Sequence, residues 1–244
     1  MPAFMENPEK LEIKTDKAEK EPHYNFPEIA EMEPAMISLV EKLKDKIEKG
    51  EYDTLISDDI GGRIPTRVLE RIIKSRRPKE RLNTFLYPGG YSQDFETLKK
   101  FIKKNILPHT KNKALVVTEY VSSGQSIYDM SAALETSGLH DFDIAAVVAC
   151  NAEQWYLQSG KVSLNHTFFC GQSLGLIPRL SNKSSDLGGV EKTYADPDRN
   201  RSAYIYSLKK QAHSKQKKQE IQINANNARE DARTMARRVL EKVW

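Results

Sequence analysis

The run Ala114-Leu115-Val116-Val117-Thr118-Glu119-Tyr120-Val121-Ser122-Ser123-Gly124-Gln125-Ser126 decides the reading of this chain. Its four leading apolar residues have no polar face, which describes a strand buried on both sides, and such strands belong to parallel sheets covered by helices. The strand delivers a hydroxyl-rich glycine turn straight into a segment where Ile127, Met130 and Leu134 recur at helical spacing. A turn of that composition suits an anion. Backbone N–H groups at a helix N-terminus point outward, serine hydroxyls add donors, and glycine lets the backbone approach the ligand closely. Glu119, just ahead of the turn, offers acceptors to sugar hydroxyls or to a hydrated magnesium ion.

Outward from this run the same grammar repeats. Upstream, Thr54 to Ser57 reads as a short strand, Asp58-Asp59-Ile60-Gly61-Gly62 as a turn, and Val68, Leu69, Ile72 and Ile73 as one face of a helix. Leu82 to Tyr87 is the next strand, broken by Pro88-Gly89-Gly90 before a helix that carries Phe95, Leu98, Phe101, Ile102 and Ile106. Downstream, Ile144 to Ala149 follows Gly138, and His166 to Cys170 is a last strand candidate. Ahead of them all, Met36, Leu39, Val40, Leu43 and Ile47 form a helical stripe that Gly50 stops in a left-handed turn. This alternation predicts an α/β fold, a mostly parallel central sheet flanked by helices.

The ends differ from the middle. Residues 1–33 hold 4 Lys/Arg against 9 Asp/Glu (−5), and residues 209–244 hold 10 against 4 (+6), while the whole chain carries +4. The division expected is an acidic N-terminal arm (1–33), the α/β domain (34–205) and a basic C-terminal helix (206–244). In that last segment Ile221, Ala225, Ala228, Ala232, Met235, Val239 and Val243 step by three and four, the stripe of a helical extension that docks on its own domain or on a second copy in a homo-oligomer. Asn224, Asn226 and Asn227 lower helix propensity there. Nucleic acid is the less favoured partner of this basic helix, which has no aromatic platform for bases. No apolar run is long enough to span a bilayer and the first residues lack a secretory pattern, so no membrane partner and a cytoplasmic location are expected. Cys150 and Cys170 are too few for a disulfide framework.

A second chemical stretch is Leu55-Ile56-Ser57-Asp58-Asp59-Ile60-Gly61-Gly62-Arg63-Ile64-Pro65. Gly61 and Gly62 permit close backbone approach and Arg63 offers charge-assisted hydrogen bonds to an anion. Either glycine turn alone reads as an ordinary strand-to-helix connection; both, in this order, point to one ligand. Asp58 and Asp59 read as solvated or capping groups. The five histidines show no metal-ligand spacing, and no G-x-S-x-G elbow is present. The lysines Lys99, Lys100 and Lys103 read as the solvated face of a helix, and Trp155 and Tyr156 as core, contact or base-stacking residues.

Taken together, the two stretches resemble the type I phosphoribosyltransferases, whose signature is an apolar strand, an acidic pair and a Thr/Ser-rich glycine loop. The resemblance covers about residues 35 to 150. It implies that Ser122, Ser123, Gly124, Gln125 and Ser126 hold the 5-phosphate of phosphoribosyl pyrophosphate, and that Gly61, Gly62 and Arg63 hold its diphosphate. Glu119 corresponds to the second acid of the pair and is the implied contact for Mg2+, through water or ribose. Thr118 stands where the first acid is usual, keeping a hydroxyl for the ribose but no charge. The implied activity is transfer of a phosphoribosyl group to a nitrogen nucleophile with release of pyrophosphate, the work of a glycosyltransferase in nucleotide metabolism. The alternative is a non-catalytic module that senses a nucleotide and serves regulation or assembly. The resemblance assigns no catalytic side chain.

Overall fold

In a computed structural model the described residues are 23–58, 62–87, 95–121, 124–149, 166–173 and 215–244. Five strands form one sheet: β1 (Tyr52–Asp58), β2 (Asn83–Tyr87), β3 (Lys113–Val121), β4 (Phe142–Ala149) and β5 (Phe168–Ser173). All pairings are parallel and the spatial order is β2-β1-β3-β4-β5. The helices are α1 (Pro27–Ala30), α2 (Glu33–Lys49), α3 (Arg63–Arg76), α4 (Phe95–Phe101), α5 (Gln125–Ser137) and α6 (Lys215–Val243). A π-helical turn, Ile102–Ile106, and a short 3-10 turn, Leu107–His109, continue α4. The α/β class, the parallel sheet and the C-terminal helical extension expected from the sequence are all observed.

Strand alternation divides the core in two. Leu55 on β1, Leu115 and Val117 on β3, and Ala145 and Val147 on β4 pack with α2, α3 and α6. Ile56, Val116, Ile144 and Ala146, one residue out of phase, pack with α4, the π turn and α5. The period of two puts neighbouring side chains on opposite faces, and because both faces are covered neither set is polar. Helix α2 lies so close to the sheet that a Cβ at Gly171 of β5 would collide with the carbonyl oxygens of Ala35 and Val147.

Helix α6 packs against α1, α2 and α3. Its stripe of Ala228, Ala232, Met235, Ala236 and Val239 belongs to the first core, so the apolar face expected to dock is used within this chain. Burial overrides the weak propensity of the three asparagines, which the helix runs through unbroken. Asp231, fully buried, accepts from the backbone N–H groups of Asn25 and Phe26, each at 2.8 Å. Glu33 accepts from the Tyr24 hydroxyl at 2.7 Å and meets Arg238 at 2.9 Å and Lys242 at 3.1 Å. Residues 24–33 of the expected N-terminal arm are thereby fastened to the opposite end of the chain, with Tyr24, Phe26, Ile29 and Met32 buried.

Candidate functional site

After β1 the chain steps outward to β2, and after β2 it returns across β1 to β3, so the strand order reverses between β1 and β3. In open α/β sheets the crevice beyond the carboxyl ends of the strands at such a reversal is where ligands bind. Ser57 of β1 is in register with Val117 of β3, which brings the ends of these two strands side by side. Helices α3 and α5 begin immediately beyond them, so both helical N-termini face the same edge.

The two starts have a common chemistry. Gly62 is the N-cap of α3 and Gly124 that of α5, and neither helix has a side-chain cap or an acid in its first turn. Helices α1, α2 and α4 each carry a glutamate in the first turn. An acid in the first turn answers the positive end of the helix dipole, and the starts of α3 and α5 lack one, as does that of α6. At Gly124 φ is +73°, a left-handed conformation that a Cβ disfavours, so the turn entering α5 requires glycine. Arg63, half-buried, is the first residue of α3.

Three polar side chains are buried at the ends of these strands: Ser57 is fully buried, and Thr118 and Glu119 are each 7% exposed. The alternation of β3 breaks across the last two. Val117 packs with the α2/α3/α6 core and so does Tyr120, three residues on, while Val121 joins the opposite core. Strict alternation would reverse Tyr120 and Val121. Val148 and Ala149 of β4 change phase alongside, and their pairing with Tyr120 and Val121 is kept.

Of the residues expected from the sequence, the structure brings Gly62, Arg63, Thr118, Glu119, Gly124, Gln125 and Ser126 to one edge of the sheet, with Ser126 exposed in the first turn of α5. Gly61, Ser122 and Ser123, with Asp59, Trp155 and Tyr156, lie outside the described residues. Ser57, at the end of β1 beside this edge, is fully buried and has its own partner within the protein. Among the described residues no three His, Cys, Asp or Glu side chains gather into a metal-binding group. Glu119, with Thr118 beside it in β3, would be the carboxylate to hold a hydrated magnesium ion, which needs only one or two protein ligands.

No family model matches the chain, and no curated protein matches it. Among solved structures it is similar to a purine phosphoribosyltransferase from Pyrococcus horikoshii Ot3, at 14% identity over 60% of this chain and 84% of that one, with a TM-score of 0.36. It is also similar to a hypothetical protein from Neisseria gonorrhoeae with bound ppGpp, at 16% identity over 59% and 78% of the two chains, again with a TM-score of 0.36. At that depth of superposition neither likeness bears on the chemistry, and the functional reading rests on this chain's own topology.

The opposite edge of the sheet is closed by polar groups that satisfy one another. A cleft of about 300 Å³ there is lined by Asp53, Arg81, Asn83, His109 and Lys111 among others. Asp53 accepts from the backbone N–H groups of Lys111 and Asn112 at 2.8 Å each, and Asn83 donates to the His109 carbonyl at 2.8 Å. Asp143, fully buried, accepts from the Tyr52 hydroxyl at 2.7 Å and faces Lys46 and Lys113. Burial opposes its ionisation, but the Tyr52 hydrogen bond and the two lysines outweigh burial and hold the carboxyl below its ordinary range. His166 lies between the Phe142 carbonyl oxygen (2.9 Å) and Glu135 (2.8 Å). Groups committed to each other in this way hold strand starts together, which makes this edge structural despite its cleft.

Proposed function

We propose that the crevice between the ends of β1 and β3 binds the ribose 5-phosphate group of phosphoribosyl pyrophosphate or of a nucleotide. The observation that carries this reading is the pair of helices, α3 and α5, that start on uncapped glycines at the two strands flanking the strand-order reversal. The 5-phosphate sits on the first turn of α5, where N–H groups without intrahelical partners converge, with Ser122, Ser123 and Ser126 as hydroxyl donors. The diphosphate lies against the start of α3, where Gly61 and Gly62 leave room for it and Arg63 donates to it. Thr118 and Glu119 orient the ribose hydroxyls between these two anion sites.

In the reaction this arrangement serves, the bond between the ribose anomeric carbon and pyrophosphate breaks with its electron pair leaving on pyrophosphate. A nitrogen lone pair forms the new bond to that carbon, and the nitrogen's proton leaves to water. Arg63 and the amides of the two helix starts stabilise the departing charge. Mg2+, when bound near Glu119, supplies further neutralisation of the diphosphate. The acceptor belongs to the class of nitrogen heterocycles, purine or pyrimidine.

A second reading, a nucleotide-sensing module without turnover, is favoured by Thr118, a neutral group in the position of an acid. Calorimetric titration with phosphoribosyl pyrophosphate, with and without magnesium, followed by a pyrophosphate-release assay against a panel of bases, separates the two. Saturable binding with release supports the enzyme, binding without release the sensor, and no binding overturns both.

A further inference from the structure

Among the described residues the large apolar side chains left exposed are Phe95 and Ile223, and Phe95, 39% exposed, opens α4. Its neighbours along the helix are anchored: Leu98, Ile102 and Ile106 are buried in the second core and Phe101 packs against it. The helical stripe that faces the core begins at Leu98, which leaves the ring of Phe95 beyond the core's edge.

Topology places that ring at the ligand edge. The far end of the helical run is pinned to the opposite edge, because the His109 carbonyl accepts from Asn83, the first residue of β2. From His109 back to Phe95 the run spans about 20 Å. The five residues of β2 cover about 17 Å, so Phe95 stands at the carboxyl ends of the strands. Helix α4 packs against α5, which starts at the same edge. Axes of packed helices lie about 8–10 Å apart, of the same order as the reach from a nucleotide's 5′-phosphate to its base. One side of the ring is covered by Lys99, whose ammonium is 5.6 Å from the ring centroid and is itself held by Glu96 at 2.7 Å. A cation over one side of an aromatic ring leaves the other for a planar partner.

We infer that Phe95 is the platform on which the base of a bound ligand stacks, which makes a nucleoside 5′-phosphate, purine before pyrimidine, the ligand class of the crevice. The inference rests on the proposed ribose-phosphate reading and adds to it the group that selects the base. A purine offers the larger face and gains more from stacking.

The test is calorimetric titration of the wild type, Phe95→Ala and Phe95→Trp with ribose 5-phosphate, adenosine 5′-monophosphate and uridine 5′-monophosphate. Wild type should prefer the adenine nucleotide. Phe95→Ala should weaken adenine nucleotide binding about 10-fold and leave ribose 5-phosphate unchanged, and Phe95→Trp should retain the nucleotide affinity. Equal losses for both ligands in Phe95→Ala, or no loss for the nucleotide, would overturn the role of Phe95 while the ribose-phosphate reading stood. A wild type that binds none of the three ligands would sink that reading itself.

Discussion

Thr118 and Glu119 occupy a place where an apolar strand would ordinarily continue, and each keeps its polar group within the fold at 7% exposure. A buried carboxylate costs desolvation unless something answers it, and Glu119 has a partner within the protein. Replacing Thr118 by Asp adds acceptors and a charge for a hydrated cation. Thr118→Asp is therefore expected to strengthen phosphoribosyl pyrophosphate binding about threefold to tenfold at millimolar magnesium, and to weaken it without magnesium through repulsion. A titration across magnesium concentrations reads both, and a folded variant that binds more weakly at every concentration contradicts the placement of the ribose. At this scale the candidate residues were legible where the chemistry is local. Gly124 and Glu119 stand out in the sequence beside their strand, whereas the register of Ser57 with Val117, which sets the ends of β1 and β3 side by side, has no local signal.

The elements were legible to the extent that burial imposes a period. Strands β3 and β4 read as continuous apolar runs because both sheet faces are covered, β1 as a short strand ahead of its glycine turn, and α2, α3 and α5 as stripes because one side of each is buried. What was hidden depends on distant parts of the chain. The stripe of α6 was visible, but nothing local says that its alanines meet α2 and α3 or that Asp231 answers the amides of Asn25 and Phe26. The phase break across Thr118 and Glu119 was equally hidden, since it is shared with β4. Asp231→Ala leaves the N–H groups of Asn25 and Phe26, the second of them buried, without their acceptor and is expected to cost about 1–3 kcal/mol. Chemical denaturation reads that loss, and a value within error of wild type would contradict the fastening of the chain ends. Gly171→Ala is expected to destabilise too, because the colliding atoms are backbone carbonyls of α2 and β4 that no side-chain rotation relieves.

For the molecule as a whole, one edge of the sheet is closed by mutually satisfied polar groups, and the other carries the starts of α3 and α5, where ligand binding is proposed. The stabilising carboxylates give this a pH signature. Burial opposes ionisation of Glu33, but hydrogen bonds from Tyr24 and Lys242 and the charge of Arg238 prevail and lower its pKa, as Tyr52 and the lysines do for Asp143. A carboxyl depressed in the folded state contributes stability above its unfolded pKa and loses it as pH falls through the folded one. Thermal stability should therefore hold near neutrality and fall once pH drops below the ordinary values of 4.5 for Glu33 and 3.8 for Asp143. Glu33→Gln should lower stability at neutral pH and flatten that acid limb; an unchanged limb would remove Glu33 from the account. Calorimetric titration of phosphoribosyl pyrophosphate into wild type and Gly124→Val asks whether a ribose 5-phosphate group rests on the start of α5, as proposed. One-to-one binding to the wild type and at least a tenfold loss in a variant that stays folded are expected, since strain at one left-handed residue costs only about 1–3 kcal/mol. Equal affinity in the two proteins would contradict the proposal.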